Sequence, residues 1–290
     1  MRLLVAGATG SVGFELVRLA KAEGHWVRTL SRSPGNARRL QGLADEIEIQ
    51  DGVTFVPNLK GIEAVASALG AAVTLASSDK RRYREVDFAA NANLLKAALE
   101  AGVGRFIYVS AHVETGYRDT AYIRAHEEFV DALRGSRIGY SVIRPTAIFP
   151  SLNDFVRLAR KGLLTVIGDG KARSNPVHQT DVARVVLEHL TSGPTETSVG
   201  GPQVFNRNEV AGLAFQVLGK RPRLLHVPPA VFRVVAKFAG LANPRLGELF
   251  EFVAAVTTTD CVAPAVGKLR LEDHFRTVST PGSTPMLSAP

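Results

Sequence analysis

A chain of 290 residues, 46% hydrophobic and 21% charged, has the makeup of a globular protein with one main core and a smaller appended lobe. Its net charge of +8 attracts anionic ligands, but the basic residues are scattered (the densest run is Lys80-Arg81-Arg82 with Arg84) and no aromatic stripe interleaves them, which argues against nucleic acid as a partner. The single cysteine, Cys261, excludes an intramolecular disulfide and a cysteine zinc cluster, and no histidines or carboxylates stand at metal-ligand spacing, so no metal is expected.

The chain opens on an apolar strand, Leu3 to Ala6, that runs into the turn GATGSVG and then into the amphipathic helix FELVRLAKAEG. Backbone amides at a helix N-terminus point outward and the dipole there favours anions, so a pyrophosphate can rest on such a turn. Gly7 permits the tight turn, Gly10 lets the backbone approach the phosphates, and Gly13 lets the helix pack closely on the strand. The strand before and the helix after make this a dinucleotide site, with Gly7, Thr9, Gly10, Ser11, Val12 and Gly13 as its expected contacts. At the end of the second strand, Trp26 to Ser31, an Asp or Glu would bind the ribose hydroxyls of NAD. Ser31-Arg32 stands there instead, and a guanidinium pairs with a 2′-phosphate, so NADP(H) is expected ahead of NAD(H). Arg38 and Arg39 read as a solvated helix face.

A short strand is expected over Val53 to Val56, and a buried one over Glu63 to Leu69, whose end at Ala68-Leu69-Gly70 faces the cofactor. Ala71 to Arg84 reads as loop. Val86, Ala90, Leu94 and Ala97 recur at helical spacing within Glu85 to Ala101, and Gly102 stops that helix. Arg105 to Ser110 is nearly all apolar, as a parallel strand buried on both faces should be. A helix over Tyr122 to Leu133 and a strand over Ser141 to Arg144, closed by Pro145, follow. This alternation predicts an α/β fold with a doubly wound parallel sheet, a Rossmann core over residues 1–150.

A smaller C-terminal substrate lobe, interleaved with the core, is expected over residues 151–276. Thr180-Asp181 caps a helix carrying Val182, Val185, Val186 and Leu190; Gln203 to Phe205 is a short strand; Asn208 caps Glu209 to Leu218, which Gly219 stops. Residues 277–290 read as a disordered tail. The most apolar stretch, Pro228 to Val256, is broken by Arg233, Lys237, Asn243-Pro244-Arg245 and Glu248 and does not read as a membrane span. It reads instead as an apolar helix able to rest on a membrane or a partner, a homo-oligomer included. With no charged and apolar leader pattern at the start, a cytoplasmic location is expected.

Cofactors of this kind lie across the carboxyl ends of the strands, which singles out Gly70, Ser110 to His112, Tyr122 to His126 and Arg144 to Phe149. Pro145 and Thr146 are expected beside the nicotinamide, and His112 and Phe149 beside the substrate. Phe149, with Phe155, Val156, Leu163 and Leu164, suits an apolar pocket entrance or a helix core equally. Arg144 suits a structural partner for a buried carboxylate, and Asp181 a helix cap.

The glycine turn in GxxGxxG spacing, together with VASALG, VDFAANANLLKAALEAGVGRFIYVS, RAHEEFVDAL, GYSVIRPTAIF, IGDGKARSNPVHQTDVA and VGGPQVFNRNEVAGLAFQVLGKRP, resembles the atypical short-chain dehydrogenase/reductase family with an NAD(P)H-binding, NmrA-like domain. The resemblance runs from residue 1 to about residue 276. It implies a nicotinamide-dependent oxidoreductase whose C-terminal lobe supplies the substrate pocket, and it puts Asn91 where an asparagine helps shape the active site. In active members of the wider superfamily a serine, a tyrosine and a lysine cooperate, the last two as YxxxK. Ser110 and Tyr122 match, but His126 stands in the lysine's place. A tyrosine of pKa about 10 needs a fixed cation to become acidic, and a histidine of pKa about 6.5 is mostly neutral at pH 7. His126 is left to hold the ribose or to act as general acid. The expected function is NADPH-dependent reduction of a C=O or an activated C=C in a small apolar substrate. Two others stay open: a nonenzymatic NADP(H)-sensing regulatory or assembly protein, and an epimerase or isomerase that retains its nicotinamide.

Overall fold

Leu3, Leu4 and Val5 are wholly shielded from solvent, as a strand covered by helices on both faces of a parallel sheet must be. The computed structural model describes residues 1–54, 57–74 and 80–280. In chain order the elements are β1 (Arg2–Ala6), α1 (Ser11–Ala22), β2 (Trp26–Ser31), α2 (Pro34–Ala37), β3 (Glu46–Ile49) and β4 (Ala64–Ser67). A π-helical turn (Arg84–Phe88) then runs into α3 (Ala89–Glu100), followed by β5 (Arg105–Val109), α4 (Ala121–Gly135) and β6 (Gly139–Pro145). The remainder is α5 (Asn153–Arg160), β7 (Leu164–Ile167), β8 (Arg173–Ser174), α6 (Gln179–Glu188), β9 (Glu196–Val199), β10 (Phe205–Asn206), α7 (Arg207–Gln216) and β11 (Leu224–Val227). Three helices close it: α8 (Pro229–Ala242), α9 (Pro244–Thr257) and α10 (Leu271–Ser279).

The main sheet runs β3-β2-β1-β4-β5-β6-β9, with every pair parallel. From β1 the chain winds outward to β2 and β3, then returns to β4 on the other side. That reversal leaves a crevice at the carboxyl ends of β1 and β4, the place where ligands bind such sheets. Alternation along the strands splits the core in two. Leu3 and Val5 pack with Leu16, Val17, Val182 and Val186 beneath α1 and α6, while Leu4 packs with Leu94, Phe106, Tyr108 and Phe129 beneath α3 and α4. A third cluster, with Phe149, Val156, Leu164, Val210, Phe215, Leu271 and Phe275, forms the centre of the C-terminal lobe.

Several local expectations are corrected. The third strand is Glu46–Ile49; Gly52 to Thr54 form a turn, and residues 55–56 lie outside the described residues. The cap of α6 is His178, whose ring accepts from Thr180 N at 3.1 Å. Asp181 instead accepts from the amides of Lys268 and Leu269, tying the last segment to α6. Asn206 caps α7 in a capping box with Glu209, because its side chain meets the N3 amide while Glu209 reaches back to Asn206 N. Asn208 lies inside that helix. The short strand there is Phe205–Asn206, not Gln203 to Phe205. Thr277 to Ser279 continue α10 rather than beginning a tail, and residues 281–290 lie outside the described residues.

Candidate active site

The glycine turn sits at the switch point between β1 and β4. Gly7 has φ +75°, and a Cβ there would stand 2.4 Å from the Ala68 carbonyl oxygen. A Cβ on Gly13 would come within 2.2 Å of the Gly7 oxygen. Both positions therefore exclude a side chain, Gly7 twice over. Gly10 N donates to Gly7 O at 3.0 Å, closing the turn. α1 begins with Gly10 as its cap, without a side-chain cap hydrogen bond and without an acidic residue in its first turn. Its first amides are thus presented to an anion. Thr9, Gly10 and Ser11 are partly exposed, whereas the Val12 side chain packs into the core, leaving its main chain to take part.

Ser31 is buried, and its hydroxyl is engaged with Ser33 O at 3.0 Å. Arg32 is exposed beyond the end of β2. Despite the desolvation that opposes it, the Asp51 carboxyl is held below its usual range by Val53 N, Arg81 and Arg32. Arg39 departs from expectation: it is half-buried, its guanidinium lies 5.2 Å from the Phe14 ring centroid and 3.4 Å from Thr9 O. It leans on the glycine turn rather than facing solvent.

A buried polar cluster braces the other lip. Ser67 Oγ donates to Asn91 Oδ1 at 2.6 Å, and Asn91 Nδ2 donates to Leu69 O and to Asp87 O. Asp87 Oδ1 accepts from Ala71 N at 3.1 Å. Asn91 thus shapes the Ala68 to Gly70 loop from behind, wholly buried.

Ser110 extends the β5 ladder, its N donating to Ile143 O at 2.8 Å, while its hydroxyl is buried without a hydrogen-bond partner among the described residues. A native hydroxyl left so needs an explanation, and a ligand supplies one. Two residues after Tyr108 on an alternating strand, it shares the α3/α4 side of the sheet. Tyr122 and His126 lie a turn apart on α4 with rings 4.6 Å apart. The Tyr122 ring also meets Tyr83 at 5.1 Å and Phe252 of α9 at 4.6 Å, so three rings hold it. Burial first, then Asp87 and Tyr83, push the Tyr122 phenol well above 10, the reverse of an activated tyrosine.

His126 points inward and is 3% exposed. Its Nδ1 lies 2.5 Å from Tyr108 Oη, and its Nε2 lies 3.5 Å from Asp87 Oδ1. Burial, then the Arg144 charge, pushes this imidazole down to about 3. The Tyr108 phenol, itself raised by burial, stays protonated and donates to Nδ1, which assigns the ring proton to Nε2. None of this arrangement was foreseen: Asp87 and Tyr108 carry no local motif.

His112 N donates to Pro145 O, and its Nε2 lies 3.2 Å from Glu114 Oε1. Its Nδ1 is buried without a partner among the described residues, beside an open cleft of about 360 Å³ shared with Arg118, Glu127 and Arg144. Thr146 is already committed, its Oγ1 donating to Asn175 O at 2.6 Å, and Pro145 closes β6. Arg144 is structural: it pairs with Glu127 and Glu196 and caps Ala111 O. Phe149 corrects its expected role, since it is wholly buried against His178 and His274 and so builds the lobe core rather than a pocket wall. Val156 and Leu164 join it there. Among the described residues no cluster of His, Cys, Asp or Glu suits a metal ion.

A glycine cradle that excludes side chains and uncapped helix amides at the switch point, with an unpartnered hydroxyl at the carboxyl end of β5, fit a dinucleotide, and they define a nucleotide-binding Rossmann protein. Residues 7–193 match the family described as NAD(P)H-binding, and the chain belongs to it. The resemblance to atypical short-chain dehydrogenases/reductases holds among its relatives too. It is 26% identical to divinyl chlorophyllide a 8-vinyl-reductase of Zea mays, over 97% of this chain and 80% of the relative. To the photosystem II assembly factor Ycf39 of Synechocystis it is 27% identical, over 82% of this chain and 74% of the relative. In structure it is similar to an NADPH-dependent quinone oxidoreductase from Escherichia coli in complex with NADPH, with a TM-score of 0.74, 16% identity, and coverage of 96% of this chain and 100% of that one. It is also similar to a UDP-glucose 4-epimerase of Thermotoga maritima, with a TM-score of 0.72, 18% identity and 96% and 97% coverage. These two likenesses show the fold. NAD(P)H is the cofactor. Among the described residues no helix is long and apolar enough to cross a membrane.

Proposed function

We propose that the protein is an NADPH-dependent reductase that adds hydride to a C=O or an activated C=C of a small apolar substrate. The observation that carries this reading is the Ser110 hydroxyl, buried and unpartnered at the carboxyl end of β5. When bound, the reduced nicotinamide supplies the hydride. The amides of the Gly7 to Gly13 turn hold its diphosphate, and Arg32 pairs with the 2′-phosphate. Ser67 and Asn91 fix the Ala68 to Gly70 lip, and Pro145 and Thr146 border the ring. Ser110 Oγ donates a hydrogen bond to the carbonyl oxygen of the acceptor, where negative charge builds up. Tyr122 Oη, kept protonated by burial, is the proton donor. His126 is a positioning residue, holding the Tyr122 ring rather than acidifying it. Tyr83, Tyr122 and Phe252 supply an apolar wall, and His112 a polar edge. The vinyl reductase among the relatives supports the C=C branch.

The test is NADPH oxidation across a panel of carbonyls and conjugated alkenes, by wild type, Ser110→Ala and Tyr122→Phe. Turnover should fall at least about tenfold in each variant while calorimetric NADPH affinity stays within about twofold, as loss of a transition-state interaction requires. Wild-type binding without any turnover would contradict the reductase and favour the sensing or assembly reading. Conversion without net NADPH oxidation would favour the epimerase.

A further inference from the structure

α8 faces the wrong way for an ordinary surface helix. Among its residues only Ala236 is buried, and its inner side, with Phe232 and Gly240, packs on α9. A Cβ on Gly247 would come within 2.7 Å of the Gly240 Cα, so the two glycines let the helices approach closely. The outer side carries Val231, Val234, Val235, Phe238 and Leu241, each about half or more exposed, with Phe238 at 68% and Leu241 at 78%. These recur at helical spacing and form one continuous stripe. A contiguous apolar surface of this kind marks an interaction site.

We propose that α8 docks the protein on an anionic lipid surface, lying flat with this stripe sunk among the acyl chains. Charge decides the occupant. The charged residues of α8 are Arg233 and Lys237, both exposed and a turn apart along one rim of the stripe. Residues 210–247 contain no Asp or Glu but six basic residues, and all except Arg245 are exposed. Basic side chains on the polar rim of an apolar helix reach up to anionic headgroups while their stems cover hydrocarbon. A second copy fits poorly, because a two-fold pairing of this face would oppose Arg233 and Lys237 to themselves without an acid on α8 to meet them. The 14 residues of α8 span about 21 Å, short of a bilayer core of about 30 Å, so the helix lies on the membrane rather than through it. The other arm of the hairpin, α9, places Phe252 against Tyr122, so docking would set the aromatic wall close to the lipid.

The inference is independent of the reduction chemistry, and its test needs no turnover. The full chain is sedimented with vesicles of phosphatidylcholine alone and of phosphatidylcholine mixed with phosphatidylglycerol. Wild type should bind the mixed vesicles at least about tenfold more tightly than the neutral ones. Phe238→Asp with Leu241→Asp should lose binding by more than about tenfold, since charge on the buried stripe opposes insertion. Arg233→Glu with Lys237→Glu should abolish the preference for anionic lipid. Both pairs replace exposed side chains, and unchanged circular dichroism and NADPH affinity will establish that the fold is intact. No binding to either vesicle, or equal binding by the Phe238/Leu241 variant, overturns the proposal. So does a lipid-free dimer that the same variant dissociates, which would assign the stripe to a second copy.

Discussion

Replacing His126 by Gln and unfolding both proteins at two pH values isolates the buried Tyr108–His126–Asp87 arrangement. In the folded state the imidazole sits at about 3, against 6.5 in a solvated chain, because burial disfavours its cation. As pH falls, the unfolded chain takes up the proton first, so stability is lost from about pH 6.5 downward until the folded ring itself protonates. From pH 7.5 to pH 5 this single group costs about 2 kcal/mol, and by pH 4 about 3 kcal/mol. A glutamine amide in its place still offers Tyr108 an acceptor but cannot titrate. His178 and His274, also lowered by burial and the latter to about 4, titrate in both proteins and cancel from the difference. Urea unfolding followed by circular dichroism should therefore show the advantage of wild type over His126→Gln shrinking by about 2 kcal/mol between pH 7.5 and pH 5. A widening difference would refute the reasoning. It would mean that Asp87, 3.5 Å away, holds the ring as a cation and stabilises the fold on acidification.

Gly13→Ala drives a Cβ into the Gly7 carbonyl, so melting should drop by several degrees, about 2 kcal/mol or more, and calorimetry should show NADPH binding weakened at least about tenfold. Arg32→Asp should erode NADPH affinity about tenfold or more while leaving NADH binding equal or better, measured by the same titrations. Arg144→Leu should cost about 2 kcal/mol in urea unfolding, below the 3–5 of a fully buried pair because Glu127 and Glu196 stay partly exposed and can rehydrate. Ser110→Ala should leave stability unchanged or raise it by up to about 1 kcal/mol, since it removes a buried hydroxyl with no protein partner.

The strand, glycine turn and helix at the start were legible because their signal is local: an apolar run, three glycines at fixed spacing and a helical period lie within about twenty residues. β5 was legible for the same reason, as a nearly unbroken apolar segment, and β6 from its Val142-Ile143 pair closed by Pro145. β3 was not, because Glu46-Ile47-Glu48-Ile49 places a charge at every second position, and its pairing draws on Arg28 of β2, whose Nε donates to Glu46 at 2.6 Å. β9 hid likewise, its Glu196 being held by Arg134 and Arg144 across the fold. Cap positions slipped by two residues, at His178 for Thr180 and Asn206 for Asn208, because neighbouring polar residues compete for one amide. In the site, Ser110 was singled out by its strand end and by the family resemblance together. The surroundings of His126 were not, since Asp87, Tyr108 and His126 come from a π-helical turn, a strand and a helix that meet only after packing. Arg39 read as solvated because the sequence does not show the helix turning it back onto Phe14.

On the proposed reading, the Gly7 to Gly13 turn grips the diphosphate of a nicotinamide dinucleotide and Arg32 selects the phosphorylated form. Isothermal titration of the purified protein with NADPH and then with NADH tests both parts at once. One NADPH should bind per chain, saturably, and NADH should bind more weakly by about tenfold or more. Absence of binding heat with either dinucleotide across a range of temperatures, or tighter binding of NADH, would contradict that reading.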